Sequence, residues 1–371
     1  MSIYSELGIA PVINAAGTYT VWGGSSMSDQ TLSDMREASR EFVSIRDLQR
    51  AVHEKLAQLT HNEGAYVSNG AATGLYLSVA ACVQRKLKKP FYYVTKEEVN
   101  QCNVACFRSH RNPYDMVIKH LGLVYQEIGF PNIILPATEQ DIERAIDENT
   151  VAFYFANSTW TAPGDASLET VVRICQKHDI PVIVDAAAQL PPKENLWAFS
   201  RRGASLTLFS GGKDLCGPQS SGLIVGCREL TEIITSIGFP NYGIGRMMKV
   251  GREELIGLYS AVKQYMESDE DQRRADCERQ VALVLDKLAS YPGLTAQYSF
   301  PNEAGQPIPR VCITMGEDRK GVTDLYEKLL NGSPRILTGL EDNRLYINPM
   351  TLKPGEMEIV LKRLTEILEE K

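Results

Sequence analysis

The stretch Phe209-Ser210-Gly211-Gly212-Lys213-Asp214-Leu215-Cys216-Gly217-Pro218-Gln219-Ser220-Ser221-Gly222 carries residue types suited to covalent chemistry. Ala204 to Phe209 reads as a short buried strand. It ends in a serine, two glycines and a lysine, and a second glycine-bearing turn follows at once. Glycines beside an ammonium remove side-chain bulk, which permits close approach by a flat ligand and backbone angles closed to other residues. A lysine desolvated in such a setting becomes a usable amine nucleophile. Three other readings compete. A nucleotide-binding Walker loop needs Gly at Thr207 and Ser or Thr at Asp214, and so fails twice. A plain surface turn and a structural lysine paired with a carboxylate stay open on these residues alone.

Two more stretches bear on the choice. Ala65-Tyr66-Val67-Ser68-Asn69-Gly70-Ala71-Ala72 reads as a strand running through Ser-Asn-Gly into an Ala-rich helix. A helix start presents unpaired amides, and tiny side chains leave them uncovered for a phosphate. The same small residues also suit close packing. Pro181-Val182-Ile183-Val184-Asp185 reads as a strand ending in a carboxylate, a position that a helix cap can also fill. Parallel sheets gather ligands at the carboxyl ends of their strands. Gly70, Asn157 to Thr159, Asp185 and Ser210 to Lys213 all fall at such ends, which suggests one shared crevice.

These features need a scaffold, and the chain supplies alternating α and β patterns. Ser44 to Leu59 has apolar Ile45, Leu48, Val52, Leu56 and Leu59 at a 3.6-residue period within a helical stretch over 28–61. Strands are expected at Phe91 to Val94, Leu123 to Ile128 and Val151 to Phe155. Helices are expected at Asn103 to Arg108, after the Thr138 cap, and at Leu168 to His178. Gly251 to Ser290 reads as one long helical region, and Leu294 to Lys371 as a smaller α+β unit. The division expected is an N-terminal arm and helix over 1–50, a ligand-binding large domain over 51–250, and a long helix with a small domain over 251–371. The fold class is α/β, with a mostly parallel seven-stranded sheet.

With 371 residues, 43% of them hydrophobic and 23% charged, the chain can bury a sizeable core. The net charge of −7 leaves no electrostatic footprint for nucleic acid. Eight cysteines form no CxxC pair. Cys102 and Cys106 can share a helix face, yet no partner pair completes a zinc site, so no metal is expected. There is no signal-peptide pattern and no apolar run of membrane-spanning length, so the cytoplasm is expected.

A phosphate cup, an Asp at a strand end and a Lys 28 residues further on (213 − 185) suit pyridoxal 5′-phosphate. That molecule has a phosphate handle, a ring nitrogen and an aldehyde. At these residues the chain resembles fold-type-I pyridoxal-phosphate enzymes, the aspartate-aminotransferase superfamily, over nearly its whole length. It is most similar to the selenocysteine-synthase-like branch, which holds the D-glucosaminate-6-phosphate ammonia-lyase group. The matching stretches are Pro11 to Thr18, Ser68 to Ala72, Asp185 to Pro192, Phe209 to Lys213, Gly217 to Gly222 and Ile244 to Val250.

The resemblance implies that Lys213 holds the cofactor aldehyde as a Schiff base, while Asp185 pairs with the pyridine nitrogen. Gly70, Ala71 and Ala72 offer amides to the phosphate, with a hydroxyl from Ser210. His110 falls near the ring, and Asn157, Ser158 or Gln189 reaches the phenolic oxygen. Arg344 is similar to a small-domain arginine that grips a substrate carboxylate, and Arg111, Arg246 and Lys249 are candidates for a substrate phosphate. Each of these four has an alternative as a surface charge or ion-pair partner. The implied activity is ammonia release from a 2-amino sugar acid, D-glucosaminate 6-phosphate foremost, leaving a 2-keto-3-deoxy acid. The same residues also serve an aminotransferase, racemase or aldolase. A transferase acting on aminoacyl-tRNA is disfavoured by the acidic balance and by a chain that opens almost directly on the Pro11 arm. The resemblance further implies a homodimer or higher homo-oligomer, with Gly217 to Gly222 facing the neighbour's cofactor.

Overall fold

The computed structural model describes residues 3–130, 135–157, 164–316 and 319–370. Twelve strands are described: β1 Val12–Ala15, β2 Gly64–Ser68, β3 Asn103–Phe107, β4 Val124–Ile128, β5 Thr150–Ala156, β6 Val182–Asp185, β7 Leu206–Ser210, β8 Gly222–Gly226, β9 Thr295–Ser299, β10 Arg310–Thr314, β11 Arg335–Glu341 and β12 Arg344–Ile347. The chain separates into two compact units, one over 27–268 and one combining 1–26 with 269–371.

The larger unit is built on a seven-stranded sheet in the order β2-β8-β7-β6-β5-β3-β4. Pairings from β7 through β4 are parallel, and β8 runs antiparallel to both β2 and β7. Successive strand residues face opposite sides, and both sides are buried. Phe107, Phe153, Val184 and Phe209 join one apolar cluster with Val52 and Leu56 of the helix Ile45–Leu59. Tyr154, Ile183, Leu208 and Ile224 join the other, with Leu75 and Val79 of the helix Ala71–Leu87. Helices therefore cover both faces, and the strand ends are left for chemistry.

The smaller unit holds a five-stranded sheet in the order β1-β11-β12-β10-β9. Its arm strand β1 pairs in parallel with β11, Val12 opposite Arg335 and Ala15 opposite Thr338. Its core includes Val284, Val311, Ile336, Leu345 and Leu364.

Several sequence expectations are corrected. Asn103–Phe107 is a strand, not a helix, and Arg108 opens the 3-10 turn that follows it. β3 lies between β4 and β5 with every residue buried, so its apolar run carries no period that separates strand from helix. It follows that Cys102 and Cys106 share no helix face. Phe91–Tyr93 is a single 3-10 turn rather than a strand. It feeds a helix capped by a reciprocal Thr95–Glu98 box, and Tyr92 and Tyr93 are exposed. The stretch 28–61 is two helices, each started by its own serine cap at Ser28 and Ser44. The long region after 250 is also two helices, Arg252–Glu267 and Glu270–Leu288, because Asp269 caps the second. The boundary between the units falls at 268 instead of 250, since Leu255, Leu258, Val262 and Tyr265 of the first helix are buried in the larger unit's core. The Pro11 arm groups with the C-terminal residues, and the helix Asp29–Arg40 with the larger unit.

Candidate active site

The first element is the cup after β2. Gly70, at φ 106° and ψ 157°, precedes the helix Ala71–Leu87 and supplies no side-chain cap. The first-turn amides of Ala71 and Ala72 are therefore left for an external acceptor. The Ser68 hydroxyl donates to the Gly70 carbonyl at 2.9 Å and fixes the turn. Gly222, at the start of the antiparallel β8, closes the back of the cup. A Cβ there would lie 2.5 Å from the Gly70 carbonyl carbon and 2.8 Å from the Ala71 nitrogen. Antiparallel pairing brings this glycine opposite both Ser68 and Ser210. Gly222 thus packs on the cup of its own chain.

Lys213 sits on a loop that doubles back. Gly211 N–H donates to the Ser221 carbonyl at 2.9 Å, and Gly217 N–H donates to the Gly211 carbonyl at 2.8 Å. A Cβ on Gly212 would meet the Gln219 Cα at 2.5 Å, so that glycine is a steric requirement of the loop. Asp214 is buried and accepts the Tyr265 hydroxyl at 2.8 Å, tying the loop to the helix Arg252–Glu267. Burial lowers the Lys213 pKa, and the Asp185 charge opposes it only in part. The amine is thereby biased toward its neutral, nucleophilic form.

Asp185 ends β6. Burial raises its pKa; the Ala187 amide, the Tyr154 hydroxyl and the Lys213 charge pull it down, and Asp115 pushes it up. The Ala187 N–H donates to Oδ1 at 3.1 Å and the Tyr154 hydroxyl to Oδ2 at 3.1 Å. Register explains the second bond. Tyr154 lies opposite Ile183, so it shares a sheet face with Asp185 two residues further along β6.

His110 is buried after β3, edge-on to Phe107 and Phe155 at 4.9 and 4.6 Å between ring centres. Its Nδ1 accepts the Ala156 N–H at 3.1 Å, so the neutral ring carries its proton on Nε2. Burial lowers its pKa to about 4, with Asp165 acting against the shift. Asn157 donates from Nδ2 to the Gln189 Oε1 at 3.2 Å, which couples those two candidates. Ser210 ends β7, half-buried. Ser158 lies outside the described residues.

The four cationic candidates separate. Arg111 takes the ion-pair alternative: it bonds Asp115 at 2.6 and 3.2 Å, pairs with Glu127, and stacks on Tyr125 at 3.7 Å. Asp115 is fully buried, so this guanidinium neutralises an interior carboxylate. Arg246 lies over the Phe239 ring at 5.2 Å, and its Nη1 is buried with no partner among the described residues. Lys249 is exposed. Arg344 is exposed at the start of β12 in the smaller unit, near Asp342 and Asn343. Sequence reasoning missed Tyr154, Asn112 and Asp115. The one available signal was a tyrosine among phenylalanines in a buried strand, whose hydroxyl must find a partner.

The residues present fit pyridoxal phosphate. The glycine-walled cup would suit an anionic handle, the Asp185 carboxylate a protonated ring nitrogen, and the Lys213 amine a carbonyl. Comparison with known proteins agrees. The solved structure of a D-glucosaminate-6-phosphate ammonia-lyase superposes with a TM-score of 0.84 at 27% identity, covering 100% of this chain and 99% of that one. A serine palmitoyltransferase from Sphingomonas wittichii shares the fold at a TM-score of 0.60 and 12% identity, over 96% of this chain and 86% of that one. The class is thus the fold-type-I pyridoxal-phosphate enzymes.

Within it, the chain belongs to the SelA family, L-seryl-tRNA selenium transferase, whose model matches residues 12–290. It is 31% identical to a 5′-C-glycyluridine monooxygenase-decarboxylase of a Streptomyces species, over 98% of this chain and 92% of that one. It is 28% identical to a D-glucosaminate-6-phosphate ammonia lyase of Salmonella typhimurium, over 99% of this chain and 98% of that one. Among the described residues no helix is long and apolar enough to cross a membrane.

Proposed function

We propose that this chain is a pyridoxal-phosphate-dependent ammonia-lyase acting on a 2-amino sugar acid, with D-glucosaminate 6-phosphate as the leading substrate. The observation that carries this reading is end-to-end likeness, in sequence and in structure, to an enzyme of that name. Pyridoxal phosphate, when bound, supplies a sink for the electron pair left as the substrate's C2–H bond breaks. The amides of Ala71 and Ala72 and the Ser210 hydroxyl hold the phosphate handle. Asp185, kept as an acceptor, holds the proton on the ring nitrogen. Lys213, its amine biased toward the neutral form, would hold the cofactor at its aldehyde and would serve as the general base for the C2 proton. His110 holds a proton on Nε2 and fills space beside the ring. Arg246, whose Nη1 has no partner among the described residues, is the residue offered to the substrate phosphate. The atoms balance: water is lost across C2–C3 and regained on hydrolysis of the imine, so a 2-keto-3-deoxy acid and ammonia are the net products.

The test is incubation with D-glucosaminate 6-phosphate and no keto-acid co-substrate. Equal amounts of ammonia and keto acid are expected; no ammonia from any amino sugar acid would overturn the reading. The Streptomyces relative, as similar as the lyase, favours a second reading, loss of a carboxylate from the same α-carbon. Release of carbon dioxide in place of ammonia separates the two.

A further inference from the structure

We propose that Asn112 and Tyr154 form a one-way hydrogen-bond relay that ends on Asp185 and fixes that carboxylate as a hydrogen-bond acceptor. The inference rests on the reading of Asp185 as the partner of the cofactor's ring nitrogen. Its basis is the orientation of the Asn112 amide. Oδ1 of Asn112 accepts the Tyr114 N–H at 2.9 Å, which identifies that atom as the oxygen. Nδ2 donates to the His110 carbonyl at 3.1 Å and to the Tyr154 hydroxyl oxygen at 2.9 Å, so both of its hydrogens are used. The Tyr154 oxygen therefore receives a proton from one side and must direct its own to the other, where Asp185 Oδ2 lies at 3.1 Å. A reversed chain, with a protonated Asp185 donating to Tyr154, would leave the phenolic hydrogen facing the Asn112 hydrogens.

The arrangement answers a local problem. Asp185 faces Lys213 from the loop after β7, Tyr154 from β5 and the Asp115 charge from the turn Pro113–Asp115. Asp115 is itself held by Arg111, which also takes Glu127 of β4. Burial and Asp115 both favour a neutral Asp185, which could not retain a pyridinium proton. A directed hydroxyl offsets them without adding a net charge. Tyr154 and Asn112 are thus positioning residues, acting on the cofactor through Asp185.

The experiment titrates the purified apoprotein with pyridoxal phosphate from pH 4.5 to pH 9, for wild type, Tyr154→Phe, Asn112→Ala and the double variant. Dissociation constants come from absorbance of the bound cofactor, and thermal melting of each apoprotein tests folding. In wild type, affinity falls on the acid side where Asp185 gains a proton. A hydrogen bond to a charged group is worth enough to move that limb upward by about one pH unit in Tyr154→Phe. Asn112→Ala should move it the same way but less. The double variant should match Tyr154→Phe alone, because the links are in series. An acid limb unmoved in folded Tyr154→Phe, or additive shifts in the double variant, would overturn the relay. Failure of wild type to bind the cofactor at any pH would instead overturn the assignment of the site.

Discussion

Gly222 of β8 lies directly behind Gly70, close enough that a single methyl group at 222 would overlap the Gly70 carbonyl carbon. Neither backbone can yield easily, because Gly222 pairs with Ser68 on one side and Ser210 on the other. The substitution Gly222→Ala should therefore push the cup out of shape. Overpacking of this kind costs about 1–3 kcal/mol. If that cost falls on the cup, pyridoxal-phosphate affinity should fall by about fivefold or more, since 1.4 kcal/mol is a factor of ten. Absorbance titration measures it, and wild-type affinity in the variant would show that the cup is not the phosphate site.

The second prediction concerns the amine. Borohydride treatment of the holoenzyme should fix the cofactor on the peptide containing Lys213, visible by mass spectrometry. In Lys213→Ala that adduct should be absent, and turnover should fall by about 10²–10⁴ or more, the range for loss of a positioned acid–base group. A labelled peptide elsewhere in the chain would remove Lys213 from its role.

A third prediction separates the two readings of Arg111. If it serves Asp115, then Arg111→Ala leaves a fully buried carboxylate without its partner. Breaking such a pair costs about 3–5 kcal/mol, so the urea midpoint should drop sharply. A stable variant with a raised KM for a phosphorylated substrate would restore the substrate reading.

What the sequence discloses about this site follows a physical pattern. Gly70, Asp185 and Lys213 were legible because each stands where an apolar strand stops, and a parallel sheet brings such ends together. β3 was not legible: burial on both faces erased the alternation that marks a strand. The Tyr154–Asp185 bond depends on which residue of β5 lies opposite which residue of β6, and strand register is a tertiary fact. The ion pairs of Arg111 were hidden for the same reason. Its pairing with Glu127 arises because β4 lies beside β3, which no local spacing reveals. The boundary at 268 turns on the buried face of the helix Arg252–Glu267, and composition alone does not say what that face covers.

The last prediction is acid sensitivity from two neutral histidines. His53 is buried in the helix Ile45–Leu59 and accepts the Val67 N–H on Nε2 at 3.1 Å. Burial lowers its pKa from 6.5 to about 3. His110 is likewise lowered to about 4 and accepts the Ala156 N–H. In each case the unfolded chain binds a proton that the folded chain refuses. Stability is therefore greatest above pH 6.5 and is lost as pH falls from 6.5 toward 4 for His110 and toward 3 for His53. Protonation of His53 would also cost β2 an acceptor one residue before Ser68, so the cup should loosen along with the fold. The variant His53→Gln keeps an acceptor oxygen but does not titrate. Its urea midpoint should fall less steeply between pH 6.5 and pH 4 than that of wild type. Parallel slopes for the two proteins would mean that His53 contributes nothing to the acid limb.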